Sequence, residues 1–269
     1  MTHAPLRLGL LYPGHAAEDD LPWLVEALFP GGSVVADVVH TSMDEDAHDV
    51  DVLLDLGGAR RLNPSADVLR EHGAAVAVWA CTSGSFVFGW EGAQRQAADL
   101  EAHFGGPASS TSLAFVAALR ALGIRRVAIA ATYPEPVTDR LVALLGDAGF
   151  EVAGAGSQGI VTAAEVGTLD EDALLAFVRA GDRPDAEAVI VPDTALHTVR
   201  SLAALEDAVR KPVLTANQVS VWEALRLAGR EAPPRPLGND AASAMVTGAR
   251  PSDALGTLFA SRAFAEAPR

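Results

Sequence analysis

The sequence predicts a doubly wound α/β fold, and two patterns carry that prediction. Apolar runs of strand length, bounded by turn residues, alternate with amphipathic stretches of helix length, which is the signature of parallel βαβ units. Two strand-end signatures then recur in the same order. Leu11-Tyr12-Pro13 returns as Thr132-Tyr133-Pro134, and Val78-Trp79-Ala80-Cys81-Thr82 returns as Ile190-Val191-Pro192-Asp193-Thr194. The offsets are similar, 121 residues from Tyr12 to Tyr133 and 112 from Cys81 to Asp193. A duplicated unit, its copies facing each other across a cleft, is therefore expected.

Taken in order, strands are expected at Leu6–Tyr12, Val34–Val39, Ala74–Ala80, Arg126–Ala131, Glu151–Ala155, Ala188–Val191 and Pro212–Thr215. Helices are expected at Leu21–Phe29, Pro64–His72, Phe86–His103, Ser112–Leu122, Pro136–Asp147, Asp170–Arg179, Val199–Val209 and Val219–Leu227. Asn63-Pro64 has the form of an N-cap followed by a first-turn proline, and Ser110-Thr111-Ser112 offers further capping oxygens. Glu18-Asp19-Asp20 places acids at the start of the helix that contains Trp23, where they favour the helix dipole. The two lobes are expected at residues 1–110 plus 216–269, and at residues 111–215.

Composition narrows the function. A chain of 269 residues with 49% apolar content can fill one large core or two smaller ones. The formal net charge of −15 repels a phosphate backbone or an anionic membrane surface, so neither nucleic acid nor membrane is an expected partner. Met1-Thr2-His3-Ala4-Pro5 leads into the first strand without the basic segment and long apolar core of a secretory signal. Cys81 is the only cysteine, so no internal disulfide can form, and a reducing, cytoplasmic setting is the expectation. Oligomeric state stays open, and a homo-oligomer is compatible with the sequence.

Cys81 is the most informative residue. It follows the apolar run Ala74–Ala80 and precedes the polar turn Thr82-Ser83-Gly84-Ser85, so it is expected at the carboxyl edge of a sheet, facing free backbone N–H groups. Such donors hold a carboxylate and ease ionisation of a thiol. A lone cysteine is more often a small buried hydrophobe. Its place at a polar turn, rather than within a strand, favours chemistry.

At these residues the chain resembles the aspartate/glutamate racemase superfamily, in its maleate isomerase and arylmalonate decarboxylase branch. The resemblance spans Gly9–Pro13, Cys81–Phe86, Leu119–Ala128, Thr132-Tyr133-Pro134 and Trp222–Gly229. It implies two flavodoxin-like α/β/α subdomains with parallel sheets, related by pseudo-two-fold symmetry, with the active site in the cleft between them. It also implies cofactor-free chemistry on a small carboxylic acid, and no metal ligand is expected from the sequence. Cys81 matches the family's first catalytic position, and Asp193 falls at the second, where another cysteine is usual. Thr82, Ser83 and Tyr133 match carboxylate-binding positions, with Thr194, Pro13, Gly14 and His15 around them. Gly14-His15-Ala16-Ala17 replaces the usual Ser-Ser-Asn-Thr of maleate isomerases, so the carboxamide that grips substrate is missing and His15 is the candidate donor in its place.

These residues permit several reactions. A Cys81 thiolate can add to an electron-poor double bond, allow rotation and leave again, with Asp193 managing the proton on the neighbouring carbon. The same pair flanking an α-carbon gives racemisation, and loss of CO2 from a malonate gives an enediolate that one acid protonates. Isomerisation or racemisation is the first expectation because arylmalonate decarboxylases keep their thiol at the second position. A non-catalytic protein that binds a small acid is the alternative of another class. Simpler roles compete residue by residue: helix capping for Thr82 and Ser83, an interfacial ring for Tyr133, and an N-cap or a His197 partner for Asp193.

Two further patterns are weaker. Gly154-Ala155-Gly156-Ser157-Gln158-Gly159 matches the dinucleotide fingerprint GxGxxG, but no helix is expected to begin inside it. His40, Asp44, Asp46, His48 and Asp51 fit no familiar metal-ligand spacing and read as a solvated run or, alternatively, as a border of the cleft, with His40 at the end of its strand. The tail from Glu231 onward, with Pro233-Pro234 and Pro236, is read as covering the first lobe or joining a partner subunit.

Overall fold

The protein is described here by a computed structural model, which covers residues 4–229 and 255–261. The expected tail from Glu231, with Pro233, Pro234 and Pro236, lies outside these residues.

Among the described residues, eight strands form two parallel four-stranded sheets. The first contains β1 (Leu6–Pro13), β2 (Val34–Thr41), β3 (Val76–Trp79) and β4 (Ala108–Ser110), in the order β2-β1-β3-β4. The second contains β5 (Arg126–Ala131), β6 (Glu151–Ser157), β7 (Ala188–Val191) and β8 (Val213–Thr215), in the order β6-β5-β7-β8. The second order repeats the first, strand for strand. Tyr12 and Tyr133 therefore occupy matching places at the ends of β1 and β5, and Cys81 and Asp193 matching places after β3 and β7. The duplication seen in the sequence is a duplication of topology.

Helices cover both faces of each sheet, so the central strands are buried on both sides, as parallel sheets require. All four residues of β3 and all four of β7 are buried. Around the first sheet lie α1 (Asp20–Leu28), α2 (Val50–Leu56), α3 (Ala59–Glu71), α4 (Ser83–Phe86) and α5 (Gly89–Phe104). Then follow α6 (Thr111–Leu122), α7 (Glu135–Asp147), α8 (Ala163–Val166), α9 (Glu171–Gly181) and α10 (Leu202–Val209). α11 (Ala216–Leu227) returns to pack on α6, β1, β3 and β4, where Trp222 is buried, and α12 (Thr257–Ala260) follows. A capping box between Thr215 and Gln218 starts α11 three residues before its apolar run. No helix is long and apolar enough to cross a membrane among the described residues.

Several local expectations change. Pro64 lies inside α3, which begins after Gly58, so Asn63 is not its N-cap. The ring removes one backbone donor there, and the buried stripe of Leu62, Ala66 and Leu69 keeps the helix continuous. The single helix expected over Phe86–His103 is two, separated where Gly89 takes a left-handed φ of 69°. β4 is a three-residue Ala-Ser-Ser strand with no apolar pattern, and pairing with β3 alone makes it one. The glycine-rich fingerprint is mostly strand: β6 runs through Ser157, and the next helix begins only at Ala163. No helix N-terminus is offered to a pyrophosphate at that turn.

The expected acidic first turn of α1 does something else as well. Asp20 is buried, and its Oδ2 accepts hydrogen bonds from the Thr198 and Val199 amides at 2.8 and 3.2 Å and from Asn217 Nδ2 at 3.3 Å. Burial raises its carboxyl pKa, and these donors oppose the rise. Asn217 also donates to the Thr194 carbonyl at 3.1 Å, and the buried Tyr12 hydroxyl donates to the same oxygen at 2.9 Å while accepting from Ala17 N at 3.1 Å. These bonds tie the β1–α1 turn to the loops that follow β7. Removing the acceptor strands buried N–H groups, so Asp20→Ala should lower stability by roughly 2–4 kcal/mol in chemical denaturation.

Candidate active site

In open parallel sheets the ligand site forms beyond the carboxyl ends of the strands, where neighbouring crossovers diverge. Here two such edges face each other. A small cavity of about 50 Å³ lies between them, and Cys81, Ser83, Pro13, Gly14 and His15 line it from the first lobe. Asp193 and Thr194 line it from the second. Thr82 and Tyr133 stand one layer back. Thr82 is fully buried, and the Tyr133 ring packs edge-on against Phe86 and His48, with its hydroxyl donating to the Pro192 carbonyl at 3.0 Å.

The turn after β3 is held tightly. Trp79 Nε1 and Gln96 Nε2 both donate to the Gly84 carbonyl, at 3.2 and 2.8 Å, and Gln96 Nε2 also reaches the Gly57 carbonyl at 2.8 Å. A Cβ on Gly84 would stand 3.1 Å from both Cys81 Sγ and the Trp79 ring. A glycine lets the turn close on the sulfur. The Gly84 amide donates to Cys81 Sγ at 3.3 Å, and the Ser83 hydroxyl lies 3.7 Å from it.

The thiol nevertheless is not eased into ionising. Burial pushes the Cys81 pKa up to about 11, against the Gly84 and Ser83 hydrogen bonds, and the Asp193 charge adds to the rise. α4 has only four residues, too few for its dipole to offset desolvation. This corrects the expectation of a readily formed thiolate. Burial likewise raises the Tyr133 pKa, with Asp193 and Cys81 contributing and the Thr82 and Ser83 hydroxyls opposing, so the phenol remains a proton-bearing donor.

Of the two structural roles weighed for Asp193, the capping bond is present and the pairing with His197 is not. Its Oδ1 accepts from the Ala195 amide at 3.0 Å, which caps the following turn, and its Oδ2 accepts from the Thr132 hydroxyl. His197 lies elsewhere, 3.4 Å from Asp19 and 3.8 Å from Asp20. The imidazole at Asp193 belongs to His48, whose Nε2 is 3.9 Å from Oδ2. His48 Nδ1 lies 3.0 Å from the Ile160 carbonyl and its backbone N donates to Val161 O at 2.6 Å, so the ring is aimed with Nε2 towards the carboxylate.

Sequence reasoning placed His48 only within a run that is solvated or borders the cleft, and did not single it out as the neighbour of Asp193. The β2–α2 loop instead crosses the cleft. Asp46 accepts from the Ala163 and Ala164 amides at 2.9 and 3.0 Å, at the start of α8 in the other lobe. The buried Arg61 guanidinium holds Asp44 and Asp55 on the near side. The available signal was positional: this run follows β2, whose carboxyl end faces the cleft. Met43, Leu53 and Leu56 from the same segment give the cavity an apolar wall. Glu45, Asp46 and Asp193 also line it, and no Lys or Arg does so among the described residues.

The turn's geometry is testable at Gly57, where a Cβ would collide with the Gly84 carbonyl. Gly57→Ala should destabilise the fold by about 1–3 kcal/mol in thermal or denaturant melts, the usual cost of overpacking a rigid site. It should also speed the reaction of Cys81 with a thiol reagent in the native protein, since the displaced turn uncovers the sulfur.

Comparisons with known proteins bear on the family and the fold. The model of the arylmalonate decarboxylase family matches residues 9–239. The arylmalonate decarboxylase of Bordetella bronchiseptica is 31% identical over 231 residues, covering 84% of this chain and 85% of that protein. A maleate isomerase of Geobacillus stearothermophilus is 28% identical over 139 residues, 51% of this chain and 55% of that one. Among solved structures, a liganded double mutant of arylmalonate decarboxylase, with one glycine changed to cysteine and one cysteine to serine, has 25% identity and a TM-score of 0.77. It covers 94% of this chain, and 98% of that chain is matched. The chain belongs to the arylmalonate decarboxylase family, whose members compared here are enzymes, a decarboxylase and maleate isomerases.

Proposed function

We propose that this protein is a cofactor-independent enzyme that transfers a proton at the α-carbon of a small carboxylic acid, and that decarboxylation of a malonate with an apolar substituent fits the cavity best. The observation that carries this reading is a buried thiol beside an apolar wall. Met43, Leu53 and Leu56 favour an apolar substituent and disfavour a carboxylate that stays charged. Cleavage of its C–C bond releases CO2, and the electron pair passes into the remaining carboxylate as an enediolate. Ser83 in the lining, with the Thr82 hydroxyl behind it, supplies neutral donors for that charge. Cys81 then delivers its S–H proton to the α-carbon and is reprotonated from solvent. Maleate isomerisation through sulfur needs the thiolate and a grip on a second carboxylate. A thiol held near pKa 11 supports the acid role instead.

A second reading is racemisation of a 2-substituted acid, and the Asp193–His48 pair favours it. That pair can take an α-proton while the thiol gives one to the opposite face, which inverts the centre, and the proton held by the pair then returns to the sulfur through solvent.

Proton NMR in D2O with substituted malonates, 2-substituted monoacids and maleate separates these outcomes. The expected result is CO2 loss from a malonate with one deuteron incorporated at the α-carbon. Fumarate formation alone would reject the proposal, and no turnover of any acid would leave a binding protein. Cys81→Ser should lower kcat/KM by about 10²–10⁴-fold, the range of a lost general acid, with an unchanged circular dichroism spectrum. The pH profile discriminates the state of the sulfur. If Cys81 acts as an acid, kcat/KM falls as pH rises through about 11. A thiolate nucleophile gives the opposite slope, and a stopped-flow pH jump can read either.

A further inference from the structure

We propose that His15, Glu18 and His40 form a binding site for a divalent transition-metal ion, of which Zn²⁺ is the best match, at the mouth of the cleft. Their ligand atoms all lie within 4.8 Å of one another. His15 Nδ1 is 2.8 Å and His40 Nε2 3.5 Å from the same oxygen, Glu18 Oε1, and the two imidazole centroids are 4.1 Å apart. Two imidazoles and one carboxylate are ligands that zinc accepts, at bonds of about 2.0–2.2 Å, which sets neighbouring ligand atoms roughly 3.3–3.6 Å apart in a tetrahedron. The observed spacings straddle that range. His15 and His40 side chains are 76% and 37% exposed, so small rotations suffice to close on an ion.

The fold assembles this group from two strand ends. His40 is the penultimate residue of β2 and is in register with Tyr12 of β1, while His15 and Glu18 lie in the loop that β1 enters. The supports around the ligands are also present. Ala16 N donates to Glu18 Oε2 at 2.8 Å and so turns Oε1 towards the imidazoles, and Ser65 Oγ holds the His40 carbonyl at 2.9 Å. Three protein ligands leave at least one coordination position open, as in zinc sites that take a substrate or water. His15 lines the cavity itself, next to Pro13 and Gly14.

The test is zinc binding to the untagged, metal-stripped full chain, followed by calorimetry, with Co²⁺ absorption as a second readout. One ion per chain and the d–d bands of tetrahedral Co²⁺ are expected. Glu18→Gln and His40→Ala should each weaken binding by at least about 100-fold, more than the usual loss of a supporting residue. Should either fail to fold, His15→Ala is the substitute, since that side chain is mostly exposed. Cys81→Ser should bind zinc like the natural protein. No binding at millimolar zinc overturns the proposal. So does loss of binding in Cys81→Ser with retention in His40→Ala, which would place the ion on the thiol. Because the readout is binding, failure of the decarboxylase reading leaves this result intact, and the converse also holds.

Discussion

The cleft depends on a buried polar seam that fastens the β1–α1 turn of one sheet to the loops following β7 in the other. Tyr12, Asp20 and Asn217 converge on the Thr194, Leu196 and Thr198 backbone, and each of these side chains is buried. Polar groups in such a place are costly unless satisfied, and satisfied they specify one relative placement of the elements they join. With that placement fixed, the ends of β3 and β7 must face each other. Cys81 and Asp193 then share one cavity.

Enclosure also sets the chemistry. The cavity is shut by the β2–α2 loop, which is pinned on the far side through Asp46 and on the near side through Arg61. The same closure that excludes water deprives the thiol of the solvation a thiolate needs. Amide donors aimed at the sulfur do not compensate, because a single turn of helix contributes little dipole against complete burial. In the proposed reaction the sulfur, with the Ser83 hydroxyl and an apolar wall beside it, delivers a proton to a carbanion-like centre. Asp193, kept in place by Thr132 and Ala195, stands on the other side with His48 beside it.

Much of the architecture could be read along the chain because its causes are local or periodic. Alternating apolar runs and amphipathic stretches gave seven of the eight described strands, and the repeated Tyr-Pro and strand-end signatures gave the duplication. β4 escaped because Ala108-Ser109-Ser110 has no strand pattern apart from its neighbour, and Pro64 misplaced the start of α3 because tertiary burial overrode a capping signal. In the candidate site, seven of the nine residues singled out line the cavity and two stand behind it. The family resemblance rested on those strand ends, at Gly9–Pro13, Cys81–Phe86 and Thr132–Pro134, and also on Leu119–Ala128 and Trp222–Gly229 away from them.

What the sequence by itself determined is the set of residues that the carboxyl edges of two parallel sheets would present, since strand ends are marked by local composition. Only the tertiary structure decided the burial of Cys81 that raises its pKa, the placing of His48 rather than His197 beside Asp193, and the meeting of His15, Glu18 and His40. Each of those depends on burial or on proximity between segments far apart in the chain, and neither desolvation nor distance is a property that a local stretch of sequence encodes.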